Sequence, residues 1–166
     1  MNYPERKALR LKDYNYNSSG AYFVTICTEQ KRCMFSDVHV GNLIDAPNIC
    51  YSNYGKIVDQ YINSLPVKFG ISVDKYVIMP NHVHMIIGIS DSGNAPLQTK
   101  RSLISKAIGY LKMNVTRDCR QLTPNIEIWQ RSFYDHIIRN EDDYSKIWNY
   151  IDTNPQRWTE DRYFIE

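Results

Sequence analysis

The stretch that most constrains the fold is residues 77–89, which are rich in β-branched and apolar side chains. This composition predicts a strand that follows a tight turn at 79–81. Because side chains alternate between the two faces of a strand, His82 and His84 share one face, about 7 Å apart. The opposite face is an apolar stripe, formed by Val83, Met85, Ile87 and Ile89. We therefore expect a sheet that packs on a core with one face and presents two imidazoles on the other.

The pair of histidines has two interpretations. Two imidazoles at this spacing can bind a single metal ion, whereas two histidines on a solvated sheet face are the plainer alternative for a bare His-x-His pattern. The sequence near the pair offers no acidic residue as an obvious third ligand. Whether a site exists therefore depends on partners from elsewhere in the chain.

Length and composition predict one cytoplasmic globular domain. The chain has 166 residues, with 43% apolar and 23% charged residues, which is typical of a single domain of residues 1–166. The first residues are polar and no apolar run is long enough for a membrane span, so neither a signal peptide nor a membrane helix is predicted. No Cys-x-x-Cys pair occurs, which predicts free thiols rather than a structural zinc site. The cysteines are Cys27, Cys33, Cys50 and Cys119.

The periodicity of apolar residues predicts alternating strands and helices. In order these are a strand at 21–28, a short strand near Cys50, a helix at 54–65 that Ser52 or Asn53 caps and Pro66 ends, strands at 71–78 and 82–89, a helix at 102–117, a strand at 127–138, and a helix from the Asn140 cap to about Thr153. This order indicates an α+β fold with a ferredoxin-like antiparallel sheet and with helices packed mainly on one face, opposite the histidines.

Basic residues are concentrated in one segment. The net charge is only +2, but residues 100–120 carry six basic residues and one acid, a local charge of +5 that leaves −3 for the rest. Such a segment is either a solvated helix face or a surface that contacts nucleic-acid phosphates. The candidate phosphate contacts are Arg6, Lys7, Arg10, Lys12, Lys100, Arg101, Lys106 and Lys112.

The last predicted helix carries a tyrosine beside its buried stripe. Tyr150 lies outside the centre of that stripe, and Asn154, four residues later, is its neighbour on the helix surface. A tyrosine in this position is most often a packing residue, and a functional role is the alternative. The stripe consists of Tyr144, Ile147, Trp148 and Ile151.

Several motifs, taken in their order along the chain, match one family. They are His82-Val83-His84 preceded by Met79-Pro80-Asn81, the stretch 150–155 (Tyr-Ile-Asp-Thr-Asn-Pro), the stretch 129–136 (Trp-Gln-Arg-Ser-Phe-Tyr-Asp-His) and the stretch 20–25 (Gly-Ala-Tyr-Phe-Val-Thr). With these motifs over residues 20–155, the chain resembles the single-tyrosine HUH transposases, especially the REP-associated tyrosine transposases of bacteria.

The resemblance implies a fold, a reaction and roles for particular residues. The fold would be ferredoxin-like, and the reaction would be cleavage and rejoining of single-stranded or hairpin DNA through a transient 5′-phosphotyrosine. A divalent ion, Mg²⁺ or Mn²⁺, would be held by His82 and His84, and Tyr150 would be the nucleophile. Asn154 falls where some relatives have a glutamine ligand. Tyr144 is the competing nucleophile, but it belongs to the apolar stripe; whether the chain acts as a homodimer stays open.

Two other functions remain open at this level. One is a DNA-hairpin binding protein that has lost cleavage, although both histidines and the tyrosine are present. The other is a metalloenzyme that acts on something other than nucleic acid.

Overall fold

The computed structural model describes residues 18–39, 48–90 and 101–165. The strands are β1 (Gly20–Cys27), β2 (Ser36–His39), β3 (Asn48–Tyr51), β4 (Ile71–Ile78), β5 (His82–Ile89) and β6 (Tyr134–Ile138). The helices are α1 (Asn53–Phe69), α2 (Leu103–Leu122) and α3 (Glu141–Thr153), and short 3₁₀ helices lie at Glu29–Lys31 and Pro155–Glu160. None of the helices in these ranges is long and apolar enough to cross a membrane.

The main sheet is antiparallel and places the histidine strand in its interior. Its strand order is β4-β5-β1-β6, and each neighbouring pair is antiparallel. The β4–β5 hairpin turns at Met79–Asn81, where the N–H of Met79 donates to the carbonyl of His82 at 2.9 Å. β2 and β3 form a separate two-stranded sheet. The predicted α+β fold with a ferredoxin-like antiparallel sheet is confirmed.

Each face of the sheet has its own apolar cluster. The face that carries Val83, Met85 and Ile87 packs against the buried stripes of α1 and α2. The other face carries Phe23, Val77 and Ile86, and it packs against Ile151 of α3 and Trp158 of the last 3₁₀ helix. The prediction that helices cover the face opposite the histidines is therefore right for α1 and α2. It is wrong for α3, because the apolar stripe of α3 needs a partner and finds it on the histidine side.

Helix α1 runs past the proline that was expected to end it. Pro66 lies inside the helix, which continues to Phe69 and ends at Gly70, whose φ of 63° is left-handed. A proline removes one backbone donor, but Phe69 packs against the main core cluster and favours one more turn. The N–H of Gly70 then donates to the carbonyl of Pro66 at 2.9 Å, which completes a glycine C-cap. The N-cap is Ser52, as one of the two predicted alternatives had it.

The strand predicted at 127–138 is shorter than expected. Only Tyr134–Ile138 forms β6, and before it a single bridge joins Trp129 to Thr28. The ammonium of Lys112 donates to the carbonyl oxygens of Gln130, Arg131 and Ser132. Because a side chain on α2 binds these carbonyls, the segment is held as a loop and does not extend the ladder.

The two glycines inside helices differ in the space around them, which makes a matched test of the packing. A Cβ built on Gly55 of α1 would lie 2.0 Å from the carbonyl oxygen of Phe35, whereas a Cβ on Gly109 of α2 would meet nothing within 4 Å. We expect Gly55→Ala to destabilise the fold by about 1–3 kcal/mol through steric overlap. Gly109→Ala should stabilise it by about 1 kcal/mol through helix propensity.

Urea unfolding followed by circular dichroism measures both free energies. Equal effects of the two substitutions, in either direction, would contradict the close approach of α1 to the chain at Phe35.

Candidate metal centre and tyrosine site

The two imidazoles are buried side by side. His82 and His84 are both 0% exposed, and their ring centroids lie 4.4 Å apart. Rings from the C-terminal segment cover them, with the Tyr163 ring centroid 4.5 Å from that of His82 and 5.8 Å from that of His84. The interpretation of two histidines on a solvated sheet face is therefore wrong.

The hydrogen bonds of Asn81 fix the tautomer of His82. The amide nitrogen of Asn81 donates to the carbonyl oxygens of Lys31 and Tyr163, at 3.0 and 2.7 Å. Its oxygen is therefore the acceptor for His82 Nδ1, 2.9 Å away. With the proton on Nδ1, the lone pair of a neutral His82 lies on Nε2, which is the arrangement found in metal-ligating histidines.

His84 is held in a similar way by the neighbouring strand. Thr25 lies directly opposite His84 in the β1–β5 register, and its Oγ1 is 2.8 Å from His84 Nδ1. The other ring nitrogen, Nε2, lies 3.2 Å from the hydroxyl oxygen of Tyr150. A ring that donates from Nδ1 to Thr25 keeps Nε2 as an acceptor, so both histidines turn Nε2 toward the same space.

Burial keeps both imidazoles neutral. Desolvation lowers the pKa of His82 to about 4, although the charge of Asp161 and a contact with Asn154 oppose this shift. Desolvation also lowers the pKa of His84 well below its usual value, and the neighbouring His82 adds to the effect. Neutral imidazole is the form that binds metal ions, so the pair is ready to act as a ligand pair near neutral pH.

Tyr150 reaches the histidines from α3. Its side chain is 38% exposed, and its ring lies edge-on to Phe23 with the centroids 6.1 Å apart. The hydroxyl lies within hydrogen-bonding distance of both His84 Nε2 and, at 3.3 Å, Asp161 Oδ2. Burial, followed by the charge of Asp161, raises the pKa of Tyr150 to about 12. The phenol is therefore protonated near neutral pH.

Tyr144, the competing tyrosine, lies elsewhere. Its hydroxyl donates to Asp74 Oδ2 at 3.1 Å, and its ring stacks on Trp148 with the centroids 6.0 Å apart. Tyr144 therefore has a packing role on β4 and α3, as its place in the apolar stripe indicated.

Asn154 presents an unpaired oxygen to the imidazoles. The residue is 3% exposed, and its amide nitrogen donates to Asp161 Oδ2 at 2.6 Å. Its Oδ1 is buried and has no hydrogen-bond partner in the described part of the chain, and the same holds for His82 Nε2. Buried polar atoms are nearly always paired. Two buried acceptors left open beside one another fit a cation, since both can act as ligands.

The structure adds Asp161, which the sequence analysis missed. One ligand atom from each of His82, His84 and Asp161 lies within 4.8 Å of the other two. The 3₁₀ helix at Pro155–Glu160 turns the chain back after α3 and brings this carboxylate to the site. The sequence offers no acidic residue next to the histidine pair, and the structure brings one to it that is close in space and not in sequence.

The predicted phosphate contacts that fall within the described residues are on or beside α2 and not among the residues of this site. Arg101 is exposed just before α2, Lys106 is partly buried on α2, and Lys112 binds the carbonyls of the loop before β6. The remaining candidates, Arg6, Lys7, Arg10, Lys12 and Lys100, lie outside the described residues. Their role in binding DNA stays a prediction.

Known proteins resemble this chain over most of its length. The family model described as "Transposase IS200 like" matches residues 21–154. An uncharacterized Haemophilus influenzae protein is 36% identical to this chain, and the match covers 97% of this chain and 94% of that protein. A second protein of that organism is provisionally named a REP-associated tyrosine transposase. It is 25% identical to this chain, and the match covers 85% of this chain and 73% of that protein.

A solved structure has a similar fold. It is the REP-associated tyrosine transposase bound to a REP hairpin, with a TM-score of 0.62 and 21% identity over 90% of this chain and 74% of that one. At that identity the likeness concerns the fold alone. Membership of a family rests on the match to the family model, which covers the histidine strand and reaches through Tyr150 to Asn154. The chain belongs to the IS200-like transposase family.

Proposed function

We propose that this protein is a metal-dependent single-stranded DNA endonuclease and strand transferase that acts on DNA carrying hairpin elements and forms a 5′-phosphotyrosine intermediate. One observation carries the proposal. The hydroxyl of Tyr150 lies 3.2 Å from His84 Nε2, in the same space as the unpaired His82 Nε2 and Asn154 Oδ1. A nucleophile beside a set of open ligand atoms is the arrangement that phosphodiester cleavage requires.

The donor set fits a divalent cation. His82 and His84 would hold it through Nε2, and Asn154 would hold it through Oδ1. Nitrogen and oxygen ligands together accept Mn²⁺ readily and Mg²⁺ less so. When bound, such an ion acts as a Lewis acid toward a phosphate oxygen and favours the ionised phenol.

The transfer balances without an external energy source. The oxygen of Tyr150 forms a bond to phosphorus while the bond from phosphorus to the 3′ oxygen breaks, and the phenolic proton ends on the departing 3′-OH. The new phosphotyrosine ester keeps the energy of the phosphodiester. Attack by another 3′-OH then restores the phenol and joins the strand. The described residues contain no phosphate-binding loop for a nucleotide, and the reaction needs none.

A cavity beside Tyr150 offers a place for the scissile phosphate. It has a volume of about 270 Å³, and its lining includes Tyr150, Asn154 and Asp161 together with two arginines, Arg157 and Arg162. Arginine is well suited to phosphate oxygens because its planar guanidinium presents several donors. The cavity thus places two guanidinium groups beside the proposed nucleophile, against two carboxylates, Asp161 and Glu160.

A larger basic cleft lies between α2 and the loop before β6. Its volume is about 970 Å³. It is lined by Lys112, Arg117, Arg120 and Arg131 with Trp129, against two acids, Glu29 and Glu127. Basic residues beside an indole suit a nucleic acid with unpaired bases. The structural neighbour of the same fold binds a REP hairpin, which supports hairpin DNA as the substrate class.

The alternative is a hairpin-binding protein that does not cut. The observation in its favour is the complete burial of His82 and His84 under Tyr163. The acidic residue Asp161 also keeps open a metalloenzyme with another substrate. Incubation with labelled single-stranded DNA and Mn²⁺ separates the three: a covalent adduct supports the proposal, binding alone supports the first alternative, and neither supports the second.

The first prediction concerns the nucleophile. Tyr150→Phe removes one oxygen and keeps the ring beside Phe23, so folding and DNA binding should persist. The covalent protein–DNA adduct should fall by more than about 10³-fold, since the variant lacks the hydroxyl that lies 3.2 Å from His84 Nε2. A denaturing gel with end-labelled single-stranded DNA and Mn²⁺ measures the adduct.

Tyr144→Phe is the matched control, because it removes the same atom from the same helix. It should keep the adduct, since the Tyr144 hydroxyl binds Asp74 and not the histidines. An adduct that persists in Tyr150→Phe, or one lost only in Tyr144→Phe, would show that the nucleophile is misassigned.

The second prediction concerns DNA contact by α2. Lys106→Ala should make the negative slope of log affinity against log salt shallower by about one, as the loss of one phosphate contact requires. Lys112→Ala should lower the midpoint of thermal unfolding, because its ammonium binds three loop carbonyls. If the ammonium of Lys112 leaves a loop carbonyl and binds a phosphate when DNA binds, the salt slope of Lys112→Ala should also become shallower.

Fluorescence anisotropy with a labelled hairpin, at several salt concentrations, measures the slopes. An unchanged slope and affinity would identify Lys106 as part of a solvated helix face and Lys112 as a group that only holds the loop.

A further inference from the structure

We infer that Asp161 is a charged ligand of the metal centre. Its carboxylate would bind the same ion as His82 and His84, in addition to stabilising the C-terminal turn. The inference rests on the proposed function in so far as a metal ion is bound between the histidines. It assigns a fourth ligand, beside His82, His84 and Asn154, to a residue that lies beyond the end of α3.

Distances place the carboxylate inside the ligand set. Asp161 offers a ligand atom within 4.8 Å of one from each histidine. Its Oδ2 accepts from Asn154 Nδ2 at 2.6 Å and lies 3.3 Å from the Tyr150 hydroxyl. Five groups therefore lie around one space, and only the carboxylate of Asp161 carries a formal charge among them.

Charge is what the other ligands lack. A histidine binds a metal ion as the neutral imidazole, and the amide of Asn154 is neutral by nature. A dication held only by neutral groups in a buried site keeps its full charge in a medium that solvates it poorly. One carboxylate halves that charge, and a carboxylate oxygen is also the ligand type that Mg²⁺ and Mn²⁺ prefer.

The carboxylate is held in place before any ion binds. The N–H of Asp161 donates to the carbonyl of Trp158 at 3.1 Å, and the N–H of Phe164 donates back to the carbonyl of Asp161 at 2.9 Å. The side-chain Oδ1 accepts from the N–H of Tyr163 at 2.7 Å. Because the turn uses Oδ1, Oδ2 stays directed at Asn154 and Tyr150. Stabilisation of the turn thus explains the position of Oδ1 and leaves the direction of Oδ2 unexplained.

A role as general base for Tyr150 fits the geometry less well. The Tyr150 hydroxyl lies 3.3 Å from Asp161 Oδ2, which is long for a base that has to take up the phenolic proton. The shorter contact, at 2.6 Å, is with Asn154 and not with the phenol.

Metal binding without DNA tests the inference. Titration of Mn²⁺ into the full-length, metal-free protein, followed by electron paramagnetic resonance of the free ion, gives the dissociation constant. We expect Asp161→Asn to weaken Mn²⁺ binding by about 10–100-fold, the range typical of losing a group that supports a metal site. Glu160→Gln is the matched control, since it removes an exposed carboxylate from the lining of the same cavity, and it should bind as the wild type does.

A double-mutant cycle separates a ligand from a residue that only orients Asn154. Asp161→Asn introduced into Asn154→Ala should weaken Mn²⁺ binding further if the carboxylate contacts the ion. No additional loss in that background would mean that Asp161 acts through Asn154, and the inference would be wrong. Unchanged Mn²⁺ binding in Asp161→Asn with slower cleavage would make Asp161 a base and would equally overturn it.

A second measurement guards against loss of the fold. The rise in unfolding temperature caused by Mn²⁺ is compared with the metal-free value of each variant, since ligand binding stabilises only the native state. The proposed function fails separately: a wild type that binds Mn²⁺ through Asp161 but cuts no DNA would refute the enzyme and leave this inference standing. A wild type that cuts DNA while Asp161→Asn binds Mn²⁺ normally would refute only the inference.

Discussion

The site depends on the hydrogen bonds that hold the two imidazoles from behind. Asn81 binds Nδ1 of His82 and Thr25 binds Nδ1 of His84, so both Nε2 atoms are directed into one space. Thr25 can do this because the β1–β5 register sets it opposite His84. A shift of this register by one residue would turn Thr25 to the other face of the sheet. The antiparallel pairing of two interior strands is thus a condition for the chemistry as well as for the core.

The sequence predicted the parts of the structure that follow from local patterns. Alternation of apolar residues placed His82 and His84 on one face of an interior strand, and the Asn140 cap placed the start of α3. Helical geometry separated Tyr150 from the buried stripe to which Tyr144 belongs. These features depend on neighbours a few residues apart, and such neighbours are visible in the sequence.

The features that were missed depend on contacts between distant residues. Pro66 stays within α1 because Phe69 finds a place in the core, and the loop before β6 exists because Lys112 from another helix binds its carbonyls. Asp161 reaches the histidines through a turn that no periodicity predicts. The side of the sheet that α3 covers was likewise decided by tertiary packing, since either face offers an apolar surface.

The site is assembled from two parts of the chain that are far apart in the order of synthesis. The β4–β5 hairpin carries the imidazoles, whereas the hydroxyl of Tyr150, the amide of Asn154 and the carboxylate of Asp161 all come from a later stretch of twelve residues. A ribosome therefore makes the histidine half about seventy residues before the half that carries Tyr150, several seconds earlier at ordinary translation rates. During that interval the emerging chain has both imidazoles but lacks the phenol, the amide and the carboxylate that complete the candidate site.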